Sequence, residues 1–289
     1  MTTEATVIGA VAQQAMDPIA VVPSEVYSIA DGNGGVKFLD TDAWGHRPRS
    51  AIADRTVTDS ESFVKYVEKH GNDGHTEVYA DKARSSVVAI IDSHGTGNEP
   101  GWQKHKVTLK LEHTPSWLAW QKFNNVLMSQ ADFAEFVEQR ATDVVTPAAG
   151  DLMELAQKMQ MTVGVEFESA QRLSDGQTHL VYKEKTETKG NGNMDVPKEL
   201  LLALQPYVGS GRQYAYAAFR TRLVSKELRV GYVLVRPEEI LEGVFADMVA
   251  EIVAGRPTYE AAEATATKPA VTARAGFAGI TAPIFYGRP

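Results

Sequence analysis

The sequence predicts an α+β fold: antiparallel sheets packed with a central helix and a C-terminal amphipathic helix, and one long projecting β-hairpin. Three observations lead there. Period-two stretches flank the turn sequences "DGNGG", "GTGNEPG" and "SDGQ". Apolar residues recur at helical spacing between 117 and 160 and again between 237 and 255. Strands and helices do not alternate as a doubly wound sheet requires, and no repeat of solenoid or propeller length occurs.

The elements follow in chain order. Val7, Ile8 and Val11 share one side of a short amphipathic helix that Asp17-Pro18 stops, which makes residues 1–20 an N-terminal arm. Glu25 to Ala30 and Val36 to Leu39 form a hairpin around "DGNGG". In "TDSESFVKYVEKHG" Thr58 and Glu61 have capping-box spacing, Phe63, Tyr66 and Val67 share a face, and Gly71 ends the helix. Val87 to His113 then reads as two strands around a glycine-rich loop. On the second strand His105, Val107, Leu109, Leu111 and His113 lie on one face.

Trp117, Trp120 and Phe123 make the buried side of a helix, and Ser129 with Asp132 caps the next one. Pro147 interrupts the helical pattern, which Leu152, Leu155 and Met159 resume. Residues 162–189 read as the projecting hairpin. With Asp175 and Gly176 as a two-residue turn, Glu168 faces Lys183 and Glu166 faces Lys185, so opposite charges meet across the ladder. "KGNGNMD" reads as flexible, Pro197 to Leu204 as a short helix, and Gln213 to Arg222 and Leu228 to Val235 as strands. Pro237 opens the clearest helix, with Ile240, Val244, Met248 and Ile252 on one side and Gly255 at its end. The expected organisation is therefore an arm, 1–20; a single body, 21–255; and a low-complexity tail, 256–289. The tail is anchored through Ile284, Phe285 and Tyr286, with a neighbouring subunit as the expected support.

With 289 residues, 43% of them hydrophobic, the chain can bury a substantial core. A net charge of −8 without a lysine or arginine run makes direct nucleic-acid binding an unfavoured expectation. The absence of cysteine excludes disulfides, thiolate metal sites and cysteine nucleophiles. No apolar run reaches the roughly 20 residues of a membrane span, and the first residues lack a basic leader, so no membrane partner and an intracellular place are expected.

Candidate chemistry concentrates in "IIDSHGTGNEPGWQKHK". Pro100 stands where a dinucleotide fingerprint needs a small residue, and a strand follows instead of a helix. Adjacent Asp92, Ser93 and His94 point to alternate faces and cannot form a nucleophile relay. His105 and His113 lie about 26 Å apart along one strand at ~3.3 Å per residue, too far to share an ion. His94 and His105, with Asp92, remain the metal candidates at the loop mouth, and no cofactor is expected. Of the paired carboxylates, Asp40 and Asp42 keep a site reading beside His46.

"SHGTGNEPGWQKHKVTLKLEHTPSWLAW", followed by "ADFAEFVEQ", resembles the YfdQ-like family of phage and prophage proteins. The resemblance centres on Ser93 to Gln139 and implies a phage or prophage accessory role in the cytoplasm of a bacterial host, with no catalytic residue to transfer. The expected function is non-catalytic self-association into a homo-oligomer, in a shell-like or capsid-like form by analogy of architecture. Its surfaces are Val7, Ile8 and Val11 of the arm, Glu166, Glu168, Lys183 and Lys185 of the hairpin, and Ile284, Phe285 and Tyr286 of the tail. One alternative is a factor in recombination or host takeover that acts through a protein or single-stranded nucleic-acid partner. A second is a hydrolase with its site near His94 and His105.

Overall fold

In the computed structural model, the strand-forming stretches among the described residues assemble into four sheets. The structure describes residues 20–30, 35–72, 74–161, 167–174, 177–183, 191–225, 227–258, 260–263, 265, 268–270 and 273–289. The helix proposed for Val7, Ile8 and Val11 lies outside them. The chain divides into two units, 1–53 and 54–289, whereas the sequence reading placed 21–255 in a single body.

In the first unit β1 (Val26–Ala30) and β2 (Val36–Asp40) form the expected antiparallel hairpin, with Val26 facing Asp40 and Ala30 facing Val36. Thr41 is fully buried, and its hydroxyl accepts the Glu25 N–H at 3.0 Å and donates to the Glu25 carbonyl at 2.8 Å. The ribbon's own apolar residues stay in solvent. Phe38 is 77% exposed and Val36 61%, on a face they share with Val26.

The second unit is α+β, as the sequence predicts. After β3 (Ala53–Val57), helix α1 (Ser60–His70) begins at Asp59, whose carboxylate accepts the Ser62 N–H at 2.7 Å. Asp59, and not Thr58, is the cap. Strands β4 (Glu77–Asp81), β5 (Ser86–Ile90) and β6 (His105–Lys110) pair antiparallel, and His105, Val107, Leu109 and Leu111 are buried as their alternation predicts. The expected glycine loop joins β5 to β6. At Gly101 a Cβ would stand 1.9 Å from the Asp92 carbonyl oxygen, so this return of the chain admits no side chain.

Helices α2 (Pro115–Lys122) and α3 (Gln130–Gln139) flank the short strand β7 (Met128–Ser129), and Ser129 caps α3 by accepting the Asp132 N–H. After β8 (Val144–Thr146), α4 (Ala149–Met161) completes the helical layer. The hairpin β9 (Phe167–Arg172) and β10 (Thr178–Lys183) exists, but its register differs from the expected one. Leu173 N–H donates to Gln177 O at 2.8 Å, which gives the turn three residues and faces Arg172 with Thr178. The ladder then shifts again: Ser169 faces Val181 while Phe167 faces Tyr182, so Glu168 falls in the irregularity and not opposite Lys183. Glu166 and Lys185 lie outside the described residues.

Two further corrections follow. The stretch read as flexible supplies β11 (Asn191–Val196), which makes the hairpin a three-stranded sheet. The expected helix from Pro197 is strand β12 (Glu199–Leu204), with Leu200, Leu202 and Leu204 buried at period two between β8 and the long strand β13 (Gln213–Val224). Strand β14 (Glu227–Leu234) and helix α5 (Pro237–Ala254) form as predicted. The tail ends in β15 (Ile284–Tyr286), which adds parallel to β4 of its own chain, with Ile284 facing Val78.

Two apolar cores result. One packs Phe63, Val64 and Val67 of α1 and Val244, Phe245 and Met248 of α5 on the sheet β15-β4-β5-β6-β3. The other packs Trp117, Trp120, Phe133 and Leu152 on the sheet β7-β14-β13-β12-β8. Ile240 and Leu241 of α5 touch both cores, so one helix ties the two sheets together. Each fully buried aromatic or leucine there contributes about 1.5–3 kcal/mol of transfer free energy.

Candidate functional site

The loop-mouth residues do not converge on one ion. Glu77, at the start of β4, gathers Ser93 and His94: Ser93 Oγ donates to its Oε2 at 2.7 Å, and His94 Nε2 lies 2.8 Å from its Oε1. Tyr79 donates to the same carboxylate at 2.9 Å. The Ser93 bond first, and the His94 bond second, hold the Glu77 carboxyl below its ordinary pKa. An ionised carboxylate that takes the Ser93 proton as a hydrogen bond leaves no relay from serine to histidine. Ser93 is also 1% exposed, out of reach of a substrate.

His105 belongs to a different group. Its Nε2 lies 2.9 Å from the Tyr66 hydroxyl, and the His70 ring packs on both, 4.5 Å from Tyr66 and 5.4 Å from His105 between centroids. Burial, and then the charge of His70, hold His105 below the ordinary histidine pKa. Asp92 is occupied with the backbone, accepting the N–H groups of Lys104 and His105 at 3.0 and 2.9 Å. Thus His94, His105 and Asp92 have separate structural partners. Among the described residues no group of three His, Asp or Glu side chains could hold a metal. In the first unit Asp40 and Asp42 both bind Arg49, with Asp42 Oδ1 at 3.1 Å from Nε.

Of the tail residues named for self-association, Ile284 is partly buried against the first core, Phe285 rests its ring 5.4 Å from that of Tyr79, and Tyr286 is exposed. All three serve an intramolecular strand. The described part of the hairpin retains Glu168 and Lys183, which do not face each other.

The residues that sequence reasoning missed line a groove of about 820 Å³, where the three-stranded sheet meets β13. Its walls are the turn Asn125–Leu127, Ala170 and Thr178 of the small sheet, Pro197 and Lys198, and Ala218 to Arg222 of β13. In β13 the odd positions face the core: Ala215 and Ala217 are buried, and Phe219 packs on Phe133 at 5.2 Å. The even positions Arg220 and Arg222 therefore share the outer face. Arg220 Nη1 donates to Asn125 Oδ1 at 3.3 Å. Among the described residues no ion pair joins Lys198, Arg220 or Arg222 to a carboxylate, and no acid lines the groove. The legible signal was the i, i+2 arginine pair of "FRTRLV" on a long strand, which a search for basic runs passes over.

A family model described as an uncharacterized conserved protein (DUF2303) matches residues 5–261. No curated protein and no solved structure matches the chain.

Proposed function

We propose that this chain, which belongs to the DUF2303 family of uncharacterized conserved proteins, is a non-catalytic protein that binds a polyanion in the groove beside β13. The observation that carries the reading is the lining, in which Lys198, Arg220 and Arg222 meet in about 820 Å³ without a carboxylate. Cations held close together without counter-charge repel one another, and an anion relieves that repulsion. The lining offers hydroxyls and an amide in Thr178, Thr221 and Asn125 but no histidine, acid or serine to act as base or nucleophile, which favours binding over chemistry. The test is retention on heparin at low salt. The native chain is expected to elute later than R220A/R222A, and co-elution of the two overturns the reading.

A second reading, self-association into a homo-oligomer, has its own support in the first unit. Val36 and Phe38 of β2 share an exposed face with Val26, and a two-stranded ribbon is marginal in water without a partner. Both strands are also edges of their sheet, so two copies can pair with each other by the same surface. A shell-like assembly is one form of such pairing. Light scattering after size exclusion is expected to give a multimer that Phe38→Asp reduces to a smaller species. A native monomer sinks this reading and leaves the groove untouched.

A phage or prophage accessory role in the cytoplasm of a bacterial host is supported by the resemblance of Ser93 to Gln139 to the YfdQ-like family. Mass spectrometry of host cells after prophage induction is expected to show the protein rise. Unchanged abundance counts against that origin.

A further inference from the structure

We infer that the polyanion is single-stranded nucleic acid, an inference that rests on the anion-binding reading of the groove. The outer face of β13 does not end at the arginines. The strand pairs with β12 from Gln213 to Ala218 and with β14 from Ala217 to Val224 without an irregularity, so its alternation is unbroken. Tyr216, Ala218, Arg220 and Arg222 therefore stand on one side in a row, and Tyr216 is 49% exposed. Four residues of strand place the Tyr216 ring about 13 Å from Arg220. A flat aromatic face in line with two guanidinium groups is the pairing that single strands use, with stacking for the bases and cations for the phosphates.

The neighbouring strands sharpen the charge pattern. Arg222 faces Arg229 directly across the β13–β14 ladder, a like-charge pair that costs stability unless something negative lies over it. Arg229 is served by Glu227, 3.4 Å away, whereas Arg222 has no such partner among the described residues. Two acids flank this row in the ladder, Glu199 facing Ala218 from β12 and Glu227 facing Val224 from β14, and neither lines the groove. The site thus runs from a phosphate-binding end at Lys198, Arg220 and Arg222 to a stacking end at Tyr216. A space of about 820 Å³ is of small-ligand size, which suits a short part of a single strand. The amide of Asn125 and the hydroxyls of Thr178 and Thr221 are placed to meet base or sugar edges.

The chain's net charge of −8 does not oppose this assignment, because a Debye length near 10 Å at 0.1 M salt confines each group's influence to its surroundings. The experiment is fluorescence anisotropy of the full chain with a labelled oligothymidine of about 16 nucleotides at low salt. Unlabelled linear polyphosphate, which has charge but no bases, and a duplex of equal length serve as competitors. The oligothymidine is expected to bind more tightly than either competitor, with an affinity that falls as salt rises. Tyr216→Ala should weaken the oligothymidine about tenfold and leave polyphosphate unchanged, Tyr216→Phe should restore binding, and R220A/R222A should weaken both ligands. If Tyr216→Ala has no effect and polyphosphate binds as well as oligothymidine, the nucleic-acid inference is overturned while the anion site stands. If neither ligand binds the native chain, both fall. Tyr216 is half exposed, so thermal unfolding of its variants should match the native chain.

Discussion

His105 shows how one buried side chain links packing to pH. The residue is 6% exposed, its Nε2 meets the Tyr66 hydroxyl, and burial followed by the neighbouring His70 holds its pKa below the ordinary 6.5. The unfolded chain therefore takes up this proton at a higher pH than the folded one. The contribution of His105 to stability is complete above pH 6.5 and is lost as pH falls from there through the lowered folded value. Urea unfolding at a series of pH values is expected to show that decline in the native chain and a shallower one in His105→Gln. Equal slopes would remove His105 from the account. Glu77 behaves differently. Its carboxyl is held low, so its contribution is present above the ordinary glutamate value of 4.5 and disappears only in more acid solution.

Among the elements, the tail yields the sharpest prediction. Gly279 lies so close to the end of α5 that a Cβ would meet the Val253 carbonyl oxygen at 2.0 Å and the Gly255 nitrogen at 2.5 Å. Both contacts are backbone, which cannot swing aside as a side chain would. Gly279→Ala is expected to lift the tail from α5 and make it the first site of limited proteolysis, while a native cleavage pattern would show that the tail adapts. Composition alone reads this segment as disordered, because its anchors are few and scattered. Arg256 and Arg274 both reach Glu251 of α5, at 3.8 and 3.0 Å, and Ile280 and Ala282 enter the first core. Elements with strong local signals, such as α1, β6, α3 and α5, are readable from spacing and caps. Strand β12 was not, because "ELLLAL" is apolar throughout and only its position between β8 and β13 selects period two over a helix. The hairpin register failed for a smaller reason: one extra turn residue shifts every pair, and charge complementarity is too weak to prevent it.

At the scale of the whole molecule, the α+β class followed from the order of elements, while the candidate site did not follow from the chain-wide charge. An average over 289 residues hides two arginines on one face of one strand. The histidine, serine and aspartate of the glycine loop attract notice in sequence because chemistry-bearing types are adjacent there. In the fold, Glu77 engages the serine and the histidine from a distant position and turns them into structural contacts, and Tyr66 does the same for His105. The groove is assembled from six separate stretches between Asn125 and Tyr232, and no window of sequence contains it. Its edges become visible when strand pairing sets which residues share a side.

The parallel addition of β15 to β4 has a consequence in time. Val78 leaves the ribosome some two hundred residues before Ile284, its partner. At about 5–20 residues per second the first sheet waits roughly 10–40 s with the edge of β4 bare. During that interval a nascent chain exposes an unpaired strand to any other chain nearby, and the three-residue strand β15 closes the opening only once it has been made.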